Sequence, residues 1–256
     1  MITSTSNAQV KHVLQLNTKA RLRREQGLFT AEGIKLFQEA PASLREKVFV
    51  EASFEQEHGE LLKGVAYETV DDRVFERMCD TQTPQGILTV LRMPSYGREE
   101  LLQAENPLLL VLEDLQDPGN AGTIMRTAEG AGVTGVILSK KAVDLFHPKT
   151  IRSTMGSIFR VPFIYEENLL DTADWLKKSG IRTFAAHLKG KNSYCREDYT
   201  RGSAFMIGNE SRGLSEAMAA KCDCLVKIPM EGRLESLNAA VAAAILMYTA
   251  HMQRHL

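Results

Sequence analysis

What this 256-residue sequence is short of narrows its function first. Only four cysteines are present, Cys79, Cys195, Cys222 and Cys224, too few and too scattered for a disulfide framework. The one close pair, Cys222-x-Cys224, matches no common zinc spacing, so no metal is expected and the thiols read as reduced, in a cytoplasmic protein. Met1 to Lys19 lacks the basic start and apolar run of a secretory signal. The longest apolar run, Ala239 to Met247, falls well short of the ~20 residues that a bilayer demands, so it reads as a buried core or interface helix and no membrane partner is expected. Internal repeats and low-complexity segments are absent. An excess of one charge is missing too: 31 Lys and Arg face 32 Asp and Glu, a balance that taken alone argues against a nucleic-acid partner.

The distribution of charge reverses that impression. Residues 1 to 30 carry Lys11, Lys19, Arg21, Arg23 and Arg24 against only Glu25, and residues 140 to 160 carry Lys140, Lys141, Lys149, Arg152 and Arg160 against only Asp144. The compensating acids lie between 44 and 80, so two basic patches remain for phosphate contact.

With 44% hydrophobic residues the chain can build two modest domains. Turn chemistry at Pro94-Ser95-Tyr96-Gly97 marks a boundary, which sets a first domain at 1–95, a linker at 96–106 and a second domain at 107–256. The first domain combines a basic helix at Asn7 to Arg24 with β-like runs at Lys47 to Val50 and Gly86 to Leu91, a small α/β pattern. After Pro107, apolar runs of 4 to 8 residues occur at Leu108–Leu112, Val133–Leu138, Val161–Ile164, Arg182–Ala186, Ala204–Ile207 and Leu225–Ile228. Helical patterns at Ala121–Gly130, Lys149–Phe159, Leu169–Ser179 and Leu237–Gln253 separate most of them. That alternation predicts an α/β fold, a mostly parallel sheet with helices on both faces, whose ligands sit beyond the carboxyl ends of the strands.

Gly130-Ala131-Gly132-Val133-Thr134-Gly135 matches the dinucleotide fingerprint G-x-G-x-x-G, which would suggest a nicotinamide oxidoreductase. The order of elements is wrong for it. The glycines end a helix and lead into a strand, whereas the fingerprint follows a strand and opens a helix, so a helix C-cap and tight turn is the better reading.

Three other segments follow apolar runs in the required way. Asp117-Pro118-Gly119-Asn120-Ala121-Gly122 places Asn120 as a helix cap, with Arg126 six residues on, near the same face and suited to clamp a phosphate. Ile207-Gly208-Asn209-Glu210-Ser211-Arg212-Gly213-Leu214-Ser215 sets a carboxylate at a strand end, beside a glycine that permits close backbone approach. Ile228-Pro229-Met230 leads through Ser236, a candidate cap, to Leu237-Asn238 and a run of small residues that lets another backbone come close. Each segment alone reads equally as a cap, a turn or a helix start.

In their order these motifs resemble the SpoU (TrmH-like) RNA ribose 2′-O-methyltransferases of the SPOUT superfamily: N-x-G-x-x-x-R, then G-N-E-x-x-G-L-S, then I-P-M-x-G-x-x-x-S-L-N. The likeness covers 107 to 252, including Arg152-Ser153-Thr154-Met155-Gly156-Ser157, and departs at Ala239 and Ala240, where larger or hydroxyl-bearing residues are frequent. Asn7, Lys11, Arg21, Arg24, Phe29-Thr30-Ala31-Glu32-Gly33 and Thr83-Pro84-Gln85-Gly86 resemble the family's N-terminal substrate-binding domain.

The resemblance implies a C-terminal trefoil knot forming the cofactor pocket, a homodimer with the site at its interface, and S-adenosyl-L-methionine as cofactor. It places cofactor contacts on Ile207, Gly208, Ile228, Met230 and Leu237, and the catalytic set on Asn120, Arg126, Glu210, Ser236 and Asn238. RNA contacts are expected from Lys11, Lys19, Arg21, Arg23, Arg24 and Arg152. The expected substrate is structured RNA, ribosomal (23S) in preference to transfer RNA, and a noncatalytic RNA-binding or assembly factor of the same fold is the alternative from another class. Methyl transfer to a ribose oxygen is an in-line displacement that needs alignment and removal of a weakly acidic proton. A guanidinium is protonated at neutral pH and is a poor base, so the expected role of Arg126 is to grip phosphate and stabilise the developing alkoxide, with Ser236, Asn238 and Glu210 positioning ribose and cofactor.

Overall fold

The computed structural model describes residues 1–256, and its contacts divide them into two units. One comprises Met1–Pro94 with Asp144–Phe159, the other Ser95–Val143 with Arg160–Leu256. The division at Pro94 falls at the turn seen in the sequence. The regrouping of Asp144–Phe159 does not follow the expected second domain, because that segment packs on the first unit's residues.

The first unit begins with α1 (Ala8–Thr18) and α2 (Ala20–Gln26), where the sequence suggests one helix from Asn7 to Arg24. The break at Lys19, in an extended conformation, follows a buried Asn17 that donates to the Met78 carbonyl (2.8 Å) and accepts from the Thr30 hydroxyl (2.6 Å). Gly27, with φ of 64°, turns the chain from α2 into β1 (Leu28–Glu32). There follow α3 (Ile34–Glu39), β2 (Arg45–Glu51), α4 (Ala52–His58), β3 (Glu68–Val70), α5 (Asp72–Met78) and β4 (Ile87–Arg92). The four strands make one mixed sheet in the order β1-β4-β2-β3, with α1 and α5 supplying Val10, Val13, Leu16, Val74 and Phe75 to its core.

RNA contact at Arg23 is corrected by this packing. Arg23 is only 1% exposed; its Nε and Nη2 donate to Asp144 Oδ2 (3.0 and 2.7 Å) and its Nη1 to the carbonyls of Leu16 and Asn17 (2.5 and 3.2 Å). A charge so enclosed is a structural ion pair. Arg152 is more open, its side chain 30% exposed, with Nη2 paired to the Asp80 carboxylate at 2.8 Å. The helix expected at Lys149–Phe159 is shorter, α8 (Pro148–Thr154), because Met155 and Gly156 take positive φ before a 3-10 turn at Ser157–Phe159.

His147 caps α8 through its Nδ1, which accepts the Lys149 amide hydrogen at 3.2 Å. Burial, then the Arg23 charge, push its pKa below the ordinary value. The unfolded chain therefore binds the proton more readily, so the stability that neutral His147 contributes is complete above about pH 6.5 and is lost as pH falls through the lower folded value. Replacing His147 with Asn, which keeps a capping acceptor, is expected to flatten the fall in melting temperature between neutral pH and pH 5, and an unchanged slope would contradict it.

The second unit holds α6 (Arg98–Leu101), β5 (Leu108–Leu112), α7 (Pro118–Gly130), β6 (Gly135–Ser139), β7 (Phe163–Glu166), α9 (Leu169–Lys178), β8 (Arg182–Ala186), β9 (Asn192–Ser193), β10 (Ser203–Ile207), α10 (Glu216–Lys221), β11 (Cys224–Lys227) and α11 (Ala239–His255). Residues 96–106, expected as a linker, thus include a helix whose Leu101 is fully buried in the core. Seven strands form one parallel sheet in the order β7-β6-β5-β10-β8-β11-β9. The all-apolar runs of β5 and β10 are buried at every position, as central parallel strands require. Gly130 closes α7, Ala131 caps it and Gly132 (φ 75°) turns the chain toward β6, so the glycine string is the helix stop that its order implied. No helix is long and apolar enough to cross a membrane.

The register positions everything that follows. Leu112 at the end of β5 pairs with Ile207 at the end of β10, Met206 with Ala185 of β8, and Ala186 with Val226 of β11. Four strands therefore end side by side, and the loops after them converge.

Candidate active site

The loop after β5 enters α7 through Asp117, whose Oδ1 accepts the Asn120 amide hydrogen at 2.7 Å, with Pro118 at the first helical position. Asp117 is the cap, so the expectation that Asn120 caps this helix is corrected: Asn120 lies inside the first turn and its side chain is free for other partners. Its Nδ2 donates to Glu210 Oε1 (3.3 Å), and its Oδ1 accepts from Asn238 Nδ2 (3.0 Å). Asn238 itself caps α11, its Oδ1 accepting from the amides of Ala240 and Val241 (2.9 and 3.3 Å). That role was expected of Ser236, which sits two residues too early. One residue from each of the three motifs thus meets in a single chain of hydrogen bonds.

Glu210 is the anchor of that chain. Besides Asn120 it accepts the backbone amides of Asp117 (2.8 Å) and Gln116 (3.0 Å). Burial pushes its carboxyl up, but these hydrogen bonds outweigh burial and hold it below the usual carboxylate range. It stays ionised at neutral pH.

Beside this chain lies a cleft of about 310 Å³, within the roughly 300–1,000 Å³ of small-molecule sites. All five residues singled out for cofactor contact, Ile207, Gly208, Ile228, Met230 and Leu237, line it, together with Glu210 and Ser236. A Cβ at Gly208 would overlap the backbone of Gly213 and Leu214, so only glycine lets the loop close over the strand end. His187 and Leu188, after β8, line the same cleft. Sequence reasoning missed both; the strand-end rule applied to β8 as well as β10 points to them.

Arg126 is not part of this cluster within one chain. It is exposed on α7 and makes no hydrogen bond or ion pair. Six residues of helix turn it about 120° from Asn120 and raise it about 9 Å along the axis, which corrects the expectation that the two share a face. On the first unit, Lys11, Lys19 and Arg24 are exposed, and Arg21 is exposed while paired with Glu25. No group of three or more His, Cys, Asp or Glu is placed to hold a metal ion.

Residues 107–248 match the SpoU rRNA methylase family, and residues 7–89 match an MRM3-like substrate-binding domain. The chain belongs to the SpoU methylase family. It is 35% identical over 250 residues, 96% of its own length and 97% of the relative's, to the 23S rRNA (guanosine(2553)-2′-O)-methyltransferase RlmP of Bacillus subtilis. The SpoU methyltransferase AviRb of Streptomyces viridochromogenes, solved with AdoMet, superposes with a TM-score of 0.87 at 28% identity, covering 97% of this chain and 98% of that one. An AdoMet-bound rRNA methyltransferase of Sinorhizobium meliloti gives a TM-score of 0.87 at 31% identity, covering 100% and 97%.

As a SpoU methylase the chain is an S-adenosylmethionine-dependent enzyme. The cleft suits that cofactor: Ile207, Ile228, Met230 and Leu237 offer an apolar bed for an adenine ring, and the ionised Glu210 is among the lining residues, so its charge lies near the space a cationic donor would enter. When bound, S-adenosylmethionine supplies a methyl group activated by its sulfonium. The protein's contribution is to hold donor and acceptor in line.

Proposed function

We propose that this SpoU methylase methylates the 2′-hydroxyl of a ribose in structured ribosomal RNA of the large subunit. The observation that carries the reading is the hydrogen-bonded chain Asn238–Asn120–Glu210 at the edge of a cleft lined by the cofactor motifs. Full-length similarity to a 23S rRNA 2′-O-methyltransferase favours ribosomal over transfer RNA. Residues 107–256 serve as the catalytic region, knotted as the resemblance implies, and 1–95 as the RNA-binding domain, on which the segment Asp144–Phe159 of the catalytic region packs. Lys11, Lys19, Arg21 and Arg24 supply sequence-independent phosphate contacts there, while structured RNA is discriminated by shape and by single-stranded elements. The reaction takes place in the cytoplasm.

In this reading Asn120, Ser236 and Asn238 position the ribose, Glu210 fixes their frame and favours the cationic donor, and Arg126 grips the phosphate and stabilises the developing alkoxide. Mapping 2′-O-methylation in total RNA of a deletion strain tests it. One large-subunit site is expected to lose its methyl group. Loss from a transfer RNA would reassign the substrate, and an unchanged map together with no transfer of labelled methyl to rRNA by the purified chain would favour an assembly factor.

The working unit is a homodimer with the site at its interface. Supporting this are Val241, Tyr248 and Met252, exposed on α11, which packs against α7, and the separation of Arg126 from the cluster in its own chain. If Arg126 serves a site on the other subunit, mixing two inactive variants, Arg126→Ala and Glu210→Gln, restores roughly a quarter of wild-type activity, since half the dimers are mixed and each holds one intact site. No recovery after exchange of subunits would place Arg126 in its own chain's site.

A further inference from the structure

Asp114 is one of only two non-glycine residues in the chain with positive φ, at 52°. L-residues visit this region rarely, Asn and Asp excepted, and then where neighbours hold them there. The neighbour is Ser139, 7% exposed at the end of β6. Its hydroxyl donates to Asp114 Oδ1 (2.8 Å) and accepts the Asp114 amide hydrogen (2.9 Å), a two-point grip on one residue.

The turn so held has two consequences a few residues on. The Asp114 carbonyl accepts Asn209 Nδ2 (2.8 Å), while Asn209 Oδ1 accepts the amides of Ser211 and Arg212 (2.9 and 3.1 Å), so the side chain of Asn209 ties its own loop to the end of β5. The amides of Gln116 and Asp117, two and three residues past the turn, are those that Glu210 accepts. Extended backbone at Asp114 would carry the chain onward along β5 and aim both groups elsewhere. Neither Asp114 nor Ser139 lines the cleft.

We propose that Asp114 and Ser139 are positioning residues, a clamp whose left-handed turn sets the Asn209–Glu210 loop in the geometry that binds S-adenosylmethionine. The proposal rests on the methyltransferase reading above. It acts chiefly through backbone conformation; the Asp114 carboxylate contributes the Ser139 contact and a long pairing with Arg212 Nη2 (3.8 Å).

That makes a distinctive series. Titration calorimetry of the full chain with S-adenosylmethionine is expected to give Asp114→Ala a Kd about five- to thirtyfold weaker, the factor matching the left-handed penalty of an alanine. Asp114→Asn and Asp114→Gly, which take positive φ readily, are expected within about twofold of wild type. Ser139→Ala is expected to weaken binding in the wild-type background and to have no further effect in the Asp114→Gly background, where φ needs no grip. Circular dichroism melts check folding, and if Asp114→Ala does not fold, the Ser139→Ala comparison in the two backgrounds decides. Equal affinity for Asp114→Ala and wild type, or equal weakening by Gly and Ala, overturns the clamp. A wild-type chain that binds no S-adenosylmethionine overturns the methyltransferase reading instead.

Discussion

Arg23→Ala is expected to destabilise the first unit by about 3–5 kcal/mol, the cost of stranding a buried charge when its partner is removed. The variant leaves Asp144, with a side chain 16% exposed, facing the vacated space, and deprives the carbonyls of Leu16 and Asn17 of their donor. Urea midpoints and melting temperatures should fall accordingly. Coupled replacement, Arg23→Met with Asp144→Asn, should recover most of the loss, because a neutral filled site carries no unpaired charge and Asp144 Oδ1 still accepts the Phe146 amide hydrogen (2.9 Å) in its Asn form.

The result bears on RNA binding as well. A binding assay alone would score Arg23→Ala as a lost RNA contact, through partial unfolding. Arg24→Ala separates the two effects: exposed, it should leave stability within about 0.5 kcal/mol while reducing the salt dependence of RNA affinity by about one phosphate contact. If Arg23→Ala melted like wild type, the Arg23–Asp144 pair would not hold the Asp144–Phe159 segment.

Arg23 also shows where the sequence stops being legible. Counting charge places it in a basic patch, but its partner lies 121 residues away, and only the fold brings Asp144 to it. Asn17 is the same case: its carbonyl acceptor is Met78, so the helix break at Lys19 has no local signal. Strands were readable where burial is complete, as at Leu108–Leu112 and Ala204–Ile207, because continuous apolar runs leave no other solution for a central parallel strand. The convergence of the three motifs followed from strand-end placement, but not their pairing. That required β10 to insert between β5 and β8, so that Leu112 and Ile207 align. Helix caps shifted by two or three residues for a related reason: Asp117 and Asn238 took the capping roles, and Asn120 was thereby released to bridge Glu210 and Asn238. The family resemblance names the residues; the geometry divides their tasks.

Arg126→Lys discriminates two chemical roles by the direction of its effect. If the guanidinium were the base that removes the ribose proton, lysine, with an ordinary pKa of about 10.4, would hold more of the neutral form at any given pH and should match or exceed wild type. If the guanidinium clamps phosphate and alkoxide, lysine is inferior, because a single ammonium cannot reproduce the two-pronged planar donor. The exposed, unpaired Arg126, with no carboxylate or carbonyl to orient it, suits a group that meets its partner only when RNA arrives. Single-turnover methyl transfer is therefore expected to slow by about 10²–10³, the usual effect of removing a donor to developing negative charge. The Kd for S-adenosylmethionine should stay within about twofold, since Arg126 does not line the cleft. The pH–rate profile should keep its shape at reduced height. A Lys variant as fast as wild type would make Arg126 the base and leave the alkoxide to be stabilised by Asn120, Ser236 and Asn238.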